Sequence, residues 1–194
     1  MSLETHYPSS CPFCRICNAY PASTPSPVPI NPDATQVDPQ CHLILSTPHV
    51  LAFLDIMPIS PGHVLLITRD HHEKLSDVPL GPTADALGLW MPLMARALAK
   101  SLDIEDWNVI QNNGARAAQV VPHVHFHFVP RYKEGRKEIS GKGHVDMGML
   151  KSWRMFGRGT REDLDDAEAV LLAANIREGL RKEYDATYTD RLKL

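Results

Sequence analysis

Three histidines alternate with apolar residues in His123-Val124-His125-Phe126-His127-Phe128-Val129. An extended chain sends successive side chains to opposite faces. His123, His125 and His127 therefore share one face, while Val124, Phe126 and Phe128 take the other, the side a core would claim. A row of imidazoles has no packing motive, and imidazole titrates near neutrality, where a use exists for it. Two chemistries suit the row. Alternate histidines of a strand can converge on a zinc ion. Alternatively, a neutral imidazole whose second nitrogen is hydrogen-bonded can attack phosphorus, with its neighbours donating to phosphate oxygens or to the leaving group.

A second group of reactive residue types lies near the start, in Cys11-Pro12-Phe13-Cys14-Arg15-Ile16-Cys17. The C-x-x-C spacing occurs twice there, as in zinc knuckles. Reduced thiols packing as small apolar groups are the alternative. Cys41, the fourth cysteine, is expected to be buried.

These residues need elements to hold them. His42–Leu45 and Val50–Leu54 are short apolar runs separated by Ser46-Thr47-Pro48, the pattern of a hairpin. After a turn from Pro58 to Gly62, His63–Thr68 reads as a third strand. Leu87, Trp90, Met94 and Leu98 repeat at helical spacing. They predict a helix over about 84–102, capped by Thr83 and kinked or broken at Pro92. Trp107–Gln111 reads as a fourth strand, Asn112-Asn113-Gly114 as a turn, and Val120–Val129 as a fifth strand interrupted by Pro122. Thr160 is a candidate cap for a last helix whose buried stripe would be Leu164, Ala167, Leu171 and Ala174. Residues 1–10 read as a flexible tail, and residues 20–40, with six prolines, as a surface loop that cannot form a central strand.

The 194 residues suffice for one ordinary domain with spare length, and 43% are apolar, enough for a sizeable core. Net charge is −3, which argues against a general nucleic-acid binder. No apolar run approaches the ~20 residues of a membrane span, and Met1–His6 lacks the features of a signal peptide. The expected setting is cytoplasmic or nuclear, with free cysteines. Residues 132–194 read as a C-terminal extension, basic as far as Arg161 and ending in a helix. Charge blocks usually solvate, but an anionic partner or polyphosphate tail is the functional alternative.

His-φ-His-φ-His-φ-φ, with φ apolar, resembles the signature of the histidine triad (HIT) family of nucleotide hydrolases and transferases. The resemblance extends over Cys11–Arg131. Phe53-Leu54-Asp55-Ile56 with Pro58 and Gly62-His63 is similar to the family's ribose-binding strand and turn. Gln111-Asn112-Asn113-Gly114 and Ala118-Gln119-Val120-Val121 resemble the run into the triad. The resemblance implies an α+β fold: an antiparallel sheet of about five strands, one long helix, and a two-fold dimer.

It also implies roles. His125 would be the nucleophile, forming a nucleotidyl-imidazole intermediate at the α-phosphate of a purine nucleotide, with His123 and His127 completing the triad. His127 and Gln119 would contact the phosphate, Asn112 the ribose and phosphate, and Asp55 the ribose hydroxyls. Phe13, Ile16, Phe53, Leu54 and Ile56 would line the base pocket. Members with C-x-F-C imply structural zinc on Cys11, Cys14, His71 and His123, with Cys17 and His72 as competing ligands. Val120 stands where several members carry Ser or Thr. Trp153 is a candidate to reach across the dimer.

Asn112 and the C-x-F-C start favour cleavage of a P–N bond in an adenosine phosphoramidate over hydrolysis of dinucleoside polyphosphates. Val124 disfavours the His-Pro-His transferase branch. A DNA-end deadenylase would carry a further zinc module, and no Cys or His pair follows His144. A non-catalytic nucleotide-binding protein and a hydrolase using all three histidines as metal ligands are the remaining readings.

Overall fold

The computed structural model describes residues 11–133 and 163–191, with side chains to 187. The tail before Cys11, the basic stretch containing Trp153, and Thr160 lie outside the described residues.

Five antiparallel strands form one sheet in the order β1-β2-β3-β5-β4. They are β1 (Leu43–Ser46), β2 (Val50–Leu54), β3 (Val64–Thr68), β4 (Asp106–Gln111) and β5 (His125–Arg131). Among the described residues three α-helices complete the α+β fold: α1 (Pro12–Ala19), α2 (Pro82–Leu102) and α3 (Asp166–Arg191). No helix among the described residues is long and apolar enough to cross a membrane.

The period of two along each central strand divides the molecule into two layers. Val50, Ala52, Leu54, Val64, Leu66, Phe126 and Phe128 point into a core shared with α2 and α3. Leu51, Phe53, Leu65 and Ile67 point the other way, against Phe13, Cys14 and Cys17 of α1. In register, Phe53 pairs with Leu65 and Leu65 with His127, while Leu51 pairs with Ile67 and Ile67 with His125. The histidine face is thus the α1 face.

Several expectations need correction. The helix α2 begins at Pro82, with Gly81 at the cap position and no side-chain cap; Thr83 lies buried within its first turn. Proline at the first helical position is preorganised for that start. The helix also runs through Pro92 without a break. Pro92 and Gly88, whose carbonyl loses its intrahelical donor, are both exposed, so water can satisfy that carbonyl. The fifth strand starts at His125, not Val120. Pro122 supplies no N–H, and His123 turns back to bond the Val121 carbonyl at 2.8 Å.

In α3 the buried stripe is Ala169, Ala173, Ile176 and Leu180. Leu171 is exposed, and Leu164 precedes the helix, its N–H bonded to the Ile56 carbonyl at 2.9 Å. Close approach to α2 selects small residues: a Cβ added at Gly179 would lie 2.1 Å from Ser101 Oγ. Trp90 stacks on Tyr184 across the same crossing, with ring centroids 5.2 Å apart. Arg177, buried, donates from Nη1 to the Leu43 carbonyl, and His42 meets Asp166 at 3.0 Å. Those contacts fix the last helix to β1.

The proline-rich loop is less detached than expected. It buries Val28, and its Pro27 carbonyl accepts the Ser46 N–H at 2.9 Å while Ser23 N–H bonds Ser46. It therefore covers the free edge of β1.

Candidate active site and metal centre

Cys11 and the first turn of α1 face the residues that lead into β5. Cys11 Sγ lies 3.4 Å from His123 Nδ1, Cys14 Sγ 3.6 Å from the same nitrogen, and Cys14 Sγ 3.3 Å from His71 Nδ1. The donor atoms of Cys11, Cys14, His71 and His123 all lie within 4.8 Å of one another. His123 donates Nε2–H to the Thr68 carbonyl at 2.8 Å. That bond fixes the tautomer and leaves the Nδ1 lone pair aimed at the cysteines. Burial foremost, and the neighbouring His71 and His125, press the His123 pKa down to about 4. It is therefore a neutral imidazole, the form that ligates metal. Cys17 turns away, its thiol 3.9 Å from the Thr68 carbonyl, and burial pushes its pKa up to about 12. His72 is likewise outside the four-donor group.

Arg69, which the sequence reading passed over, holds α1 in place. Its guanidinium donates to the carbonyls of Cys17 and Tyr20 at the helix C-terminus and to Thr47. A cation satisfies the unpaired carbonyls there. The available signal was an arginine directly after a strand, beside a helix too short to be stable alone.

His123 also contributes its carbonyl. His125 donates Nδ1–H to it at 2.6 Å. The proton is then on Nδ1, and Nε2 carries the lone pair. Phe13 meets the His125 ring edge-on, with centroids 5.2 Å apart, and meets Phe53 at 5.7 Å.

His127 takes a different partner, His63, whose Nε2 is 3.0 Å from His127 Nδ1. The Ile59 N–H donates to His63 Nδ1 at 3.2 Å. A backbone donor thus sets His63 Nε2 as the protonated nitrogen, which donates to His127 Nδ1. His127 must then hold its own proton on Nε2. Asp55 Oδ2 stands 3.4 Å from His63 Nδ1, so it favours any added positive charge on that pair. Asp55 is itself positioned by Met57 N–H at 2.9 Å and is almost fully buried. His63 was legible as a face-mate: with Leu65 and Ile67 it follows the period of two onto the histidine side.

These groups open on a cavity of about 1340 Å³. Phe13, Ile16, Phe53, Asp55, Ile56, Asn112, His125 and His127 all line it. Residues 36–40 of the proline-rich loop, with Cys41 after it, form a further part of the wall that sequence reasoning left without a role. Two expected residues do not reach the cavity. Leu54 lies on the opposite face of β2, in the core against Val64 and α2, because one residue along a strand reverses the side chain. Gln119 turns to backbone: its Oε1 accepts from Gly114 N–H, and its Nε2 donates to the Glu73 carbonyl at 2.7 Å.

The three histidines therefore do not converge on one point. One faces two thiols, one offers a bare nitrogen, and one offers an N–H. That division suits nucleophilic displacement beside a separate metal centre.

The model of the HIT domain family matches residues 36–134, half of the chain. An adenosine 5'-monophosphoramidase from Saccharomyces cerevisiae is 44% identical over 98 residues, covering 50% of this chain and 59% of that protein. One from Schizosaccharomyces pombe is 35% identical over 125 residues, covering 64% and 77%. Among solved structures, a Zn-bound histidine triad family protein from Mycobacterium smegmatis superposes with a TM-score of 0.61 at 25% identity, covering 91% of this chain and 97% of that one. The family match encloses β1–β5 and the histidine row but not Cys11, Cys14 or α3, and on it the chain belongs to the HIT domain family.

Proposed function

We propose that this chain hydrolyses purine nucleotides at the α-phosphate, cleaving a P–N bond to release the nucleoside monophosphate and an amine. One observation carries the reading: the His125 Nδ1–H bond to the His123 carbonyl leaves Nε2 bare beside the N–H donor of His127. His125 Nε2 attacks phosphorus, a P–N bond to the imidazole forms, and the bond to the amine breaks. The departing amine takes one proton from the His127–His63 pair in its protonated form, which Asp55 supports. Water then attacks the nucleotidyl-imidazole: its oxygen bonds to phosphorus, the P–N bond to His125 Nε2 breaks, one water proton returns to the pair and the other leaves with the nucleoside monophosphate. Asp55 holds the ribose hydroxyls, Phe13, Ile16, Phe53 and Ile56 the base, and Asn112 the phosphate side. The names of the yeast relatives favour the same bond.

The test is intact-protein mass spectrometry with an adenosine phosphoramidate under non-acidic conditions. The wild type should carry a transient adduct of one AMP. His125→Ala should show no adduct and lose at least about a thousandfold in turnover, within the range of removed nucleophiles. Turnover that persists in His125→Ala overturns the reading.

The same reading places one zinc ion on Cys11, Cys14, His71 and His123. A tetrahedral zinc with Zn–S bonds of about 2.3 Å and Zn–N bonds of about 2.0–2.1 Å has S···N edges of about 3.6 Å. The observed separations of 3.3, 3.4 and 3.6 Å fit that frame. The ion would tie α1 to the strand that carries the nucleophile. A two-fold dimer belongs to the proposal as well. The loop covers β1, which leaves β4 as the open edge, with Val109 46% exposed.

A further inference from the structure

The reaction proposed above leaves the departing amine undefined, and the wall it would cross has a definite chemistry. The sheet order sets β2, with Phe53 and Asp55, on one side of β5 and β4 on the other. A nucleoside held by Phe53 and Asp55 therefore puts its leaving group toward β4 and the loop after it. That side of the cavity is made by Ile110, Ala117, Ala118, Val120 and Val121, with Asn112 as its polar member.

Val120 is 90% exposed and has no core to fill. An apolar side chain held open on a cavity wall suits a ligand more than a fold. The adjacent polar residue, Gln119, is engaged by the backbone and adds nothing to the wall. Among the described residues lining the cavity, the single Lys or Arg is Arg15, on α1 beside Phe13 and Ile16. Arg116 belongs to that loop, in the turn Ala115–Ala117, but is not among the lining residues. A polyphosphate chain would bring further negative charges to a side whose described lining holds no Lys or Arg, and unpaired charge is costly to desolvate.

We propose that the leaving-group subsite is apolar and selects nucleoside phosphoramidates of alkyl and arylalkyl amines over those of hydrophilic amines and over dinucleoside polyphosphates, with Val120 as the specificity-determining residue. This rests on the P–N hydrolase reading.

The experiment compares adenosine phosphoramidates of 3-phenylpropylamine and 3-aminopropanol, together with diadenosine tetraphosphate, on the full chain. The two amines have similar basicity, so their departure is matched chemically. Hydrolysis of the nucleotidyl-His125 intermediate is common to both, so discrimination falls on kcat/KM. The phenylpropyl substrate should be favoured by about tenfold or more, as extra methylenes in an apolar pocket allow. Val120→Asp, at an exposed position, should bring the two substrates to within about threefold. Equal kcat/KM in the wild type, or a preference that survives Val120→Asp, would overturn the inference while leaving the P–N hydrolase reading intact, whereas faster cleavage of the tetraphosphate would overturn both. No turnover of either phosphoramidate and no AMP adduct would defeat that reading and this inference with it.

Discussion

His63 does no bond-making in the proposed reaction, yet it decides which nitrogen of His127 holds a proton. Ile59 N–H points at its Nδ1, and its Nε2–H points at His127. Replacing His63 with alanine removes both that orientation and one site for the shared proton. We expect kcat to fall about a hundredfold, the low end of what a positioned proton donor contributes, with nucleotide affinity little changed. His63→Gln, which can accept from Ile59 and donate to His127 but cannot carry the proton, should retain more activity than alanine. Single-turnover amine release separates the two variants; equal rates would remove His63 from the proton path. At this scale much of the site was legible. The period of two set His125 and His127 on the α1 face, and the resemblance grouped Cys11 and Cys14 with His71 and His123. Gln119 misled because a side chain's direction in a loop follows local backbone donors, here Gly114 N–H, which no spacing rule reports.

Elements carry these residues only as well as their junctions allow. The turn from Asp55 to His63 ends at Gly62, whose φ is +78°, and a Cβ there would sit 2.4 Å from Leu102 Cδ1 at the end of α2. Gly62→Ala should cost about 2–4 kcal/mol, combining left-handed strain with overpacking, and should disturb Asp55 and His63 together. Gly88, exposed in α2 with open space around it, is the control. Gly88→Ala should stabilise by about 0.5–1 kcal/mol. Urea midpoints measure both, and equal effects would contradict the packing described at Gly62. The helices show where sequence reading falters. Periodicity located α2 and a helix in α3, but the α3 stripe was misassigned. Helical spacing fits more than one face, and the face that turns inward was decided by how closely α2 approaches. The small residues Ala169 and Ala173 won over Leu171.

For the whole molecule, the four-donor group links segments far apart in sequence: α1, the end of β3 and the approach to β5. A bound ion there stabilises the native state by mass action, about 4 kcal/mol at a thousand times Kd. For a chain of this size that corresponds to a Tm about 8–16 °C higher with zinc than after chelation. Metal analysis should return one zinc per chain. Adding zinc to the stripped protein near pH 7 should release protons, because thiols bind the metal as thiolates. His123 adds none, being neutral already. An unchanged Tm and no proton release would remove the ion from the account.

His123 touches both the four-donor group and the proposed nucleophile. Its ring faces the thiols, and its carbonyl receives the His125 proton. Consider the chain during synthesis. Cys11 and Cys14 emerge first, His71 much later, and His123 only after most of the sheet has been made. Until His123 is seated, with its Nε2–H on the Thr68 carbonyl and Gln119 Nε2 on its own carbonyl, the acceptor that sorts the two nitrogens of His125 is not in place. A half-built chain thus lacks the bare nitrogen that the proposed reaction requires, and reactivity toward nucleotides would arrive with the completed fold.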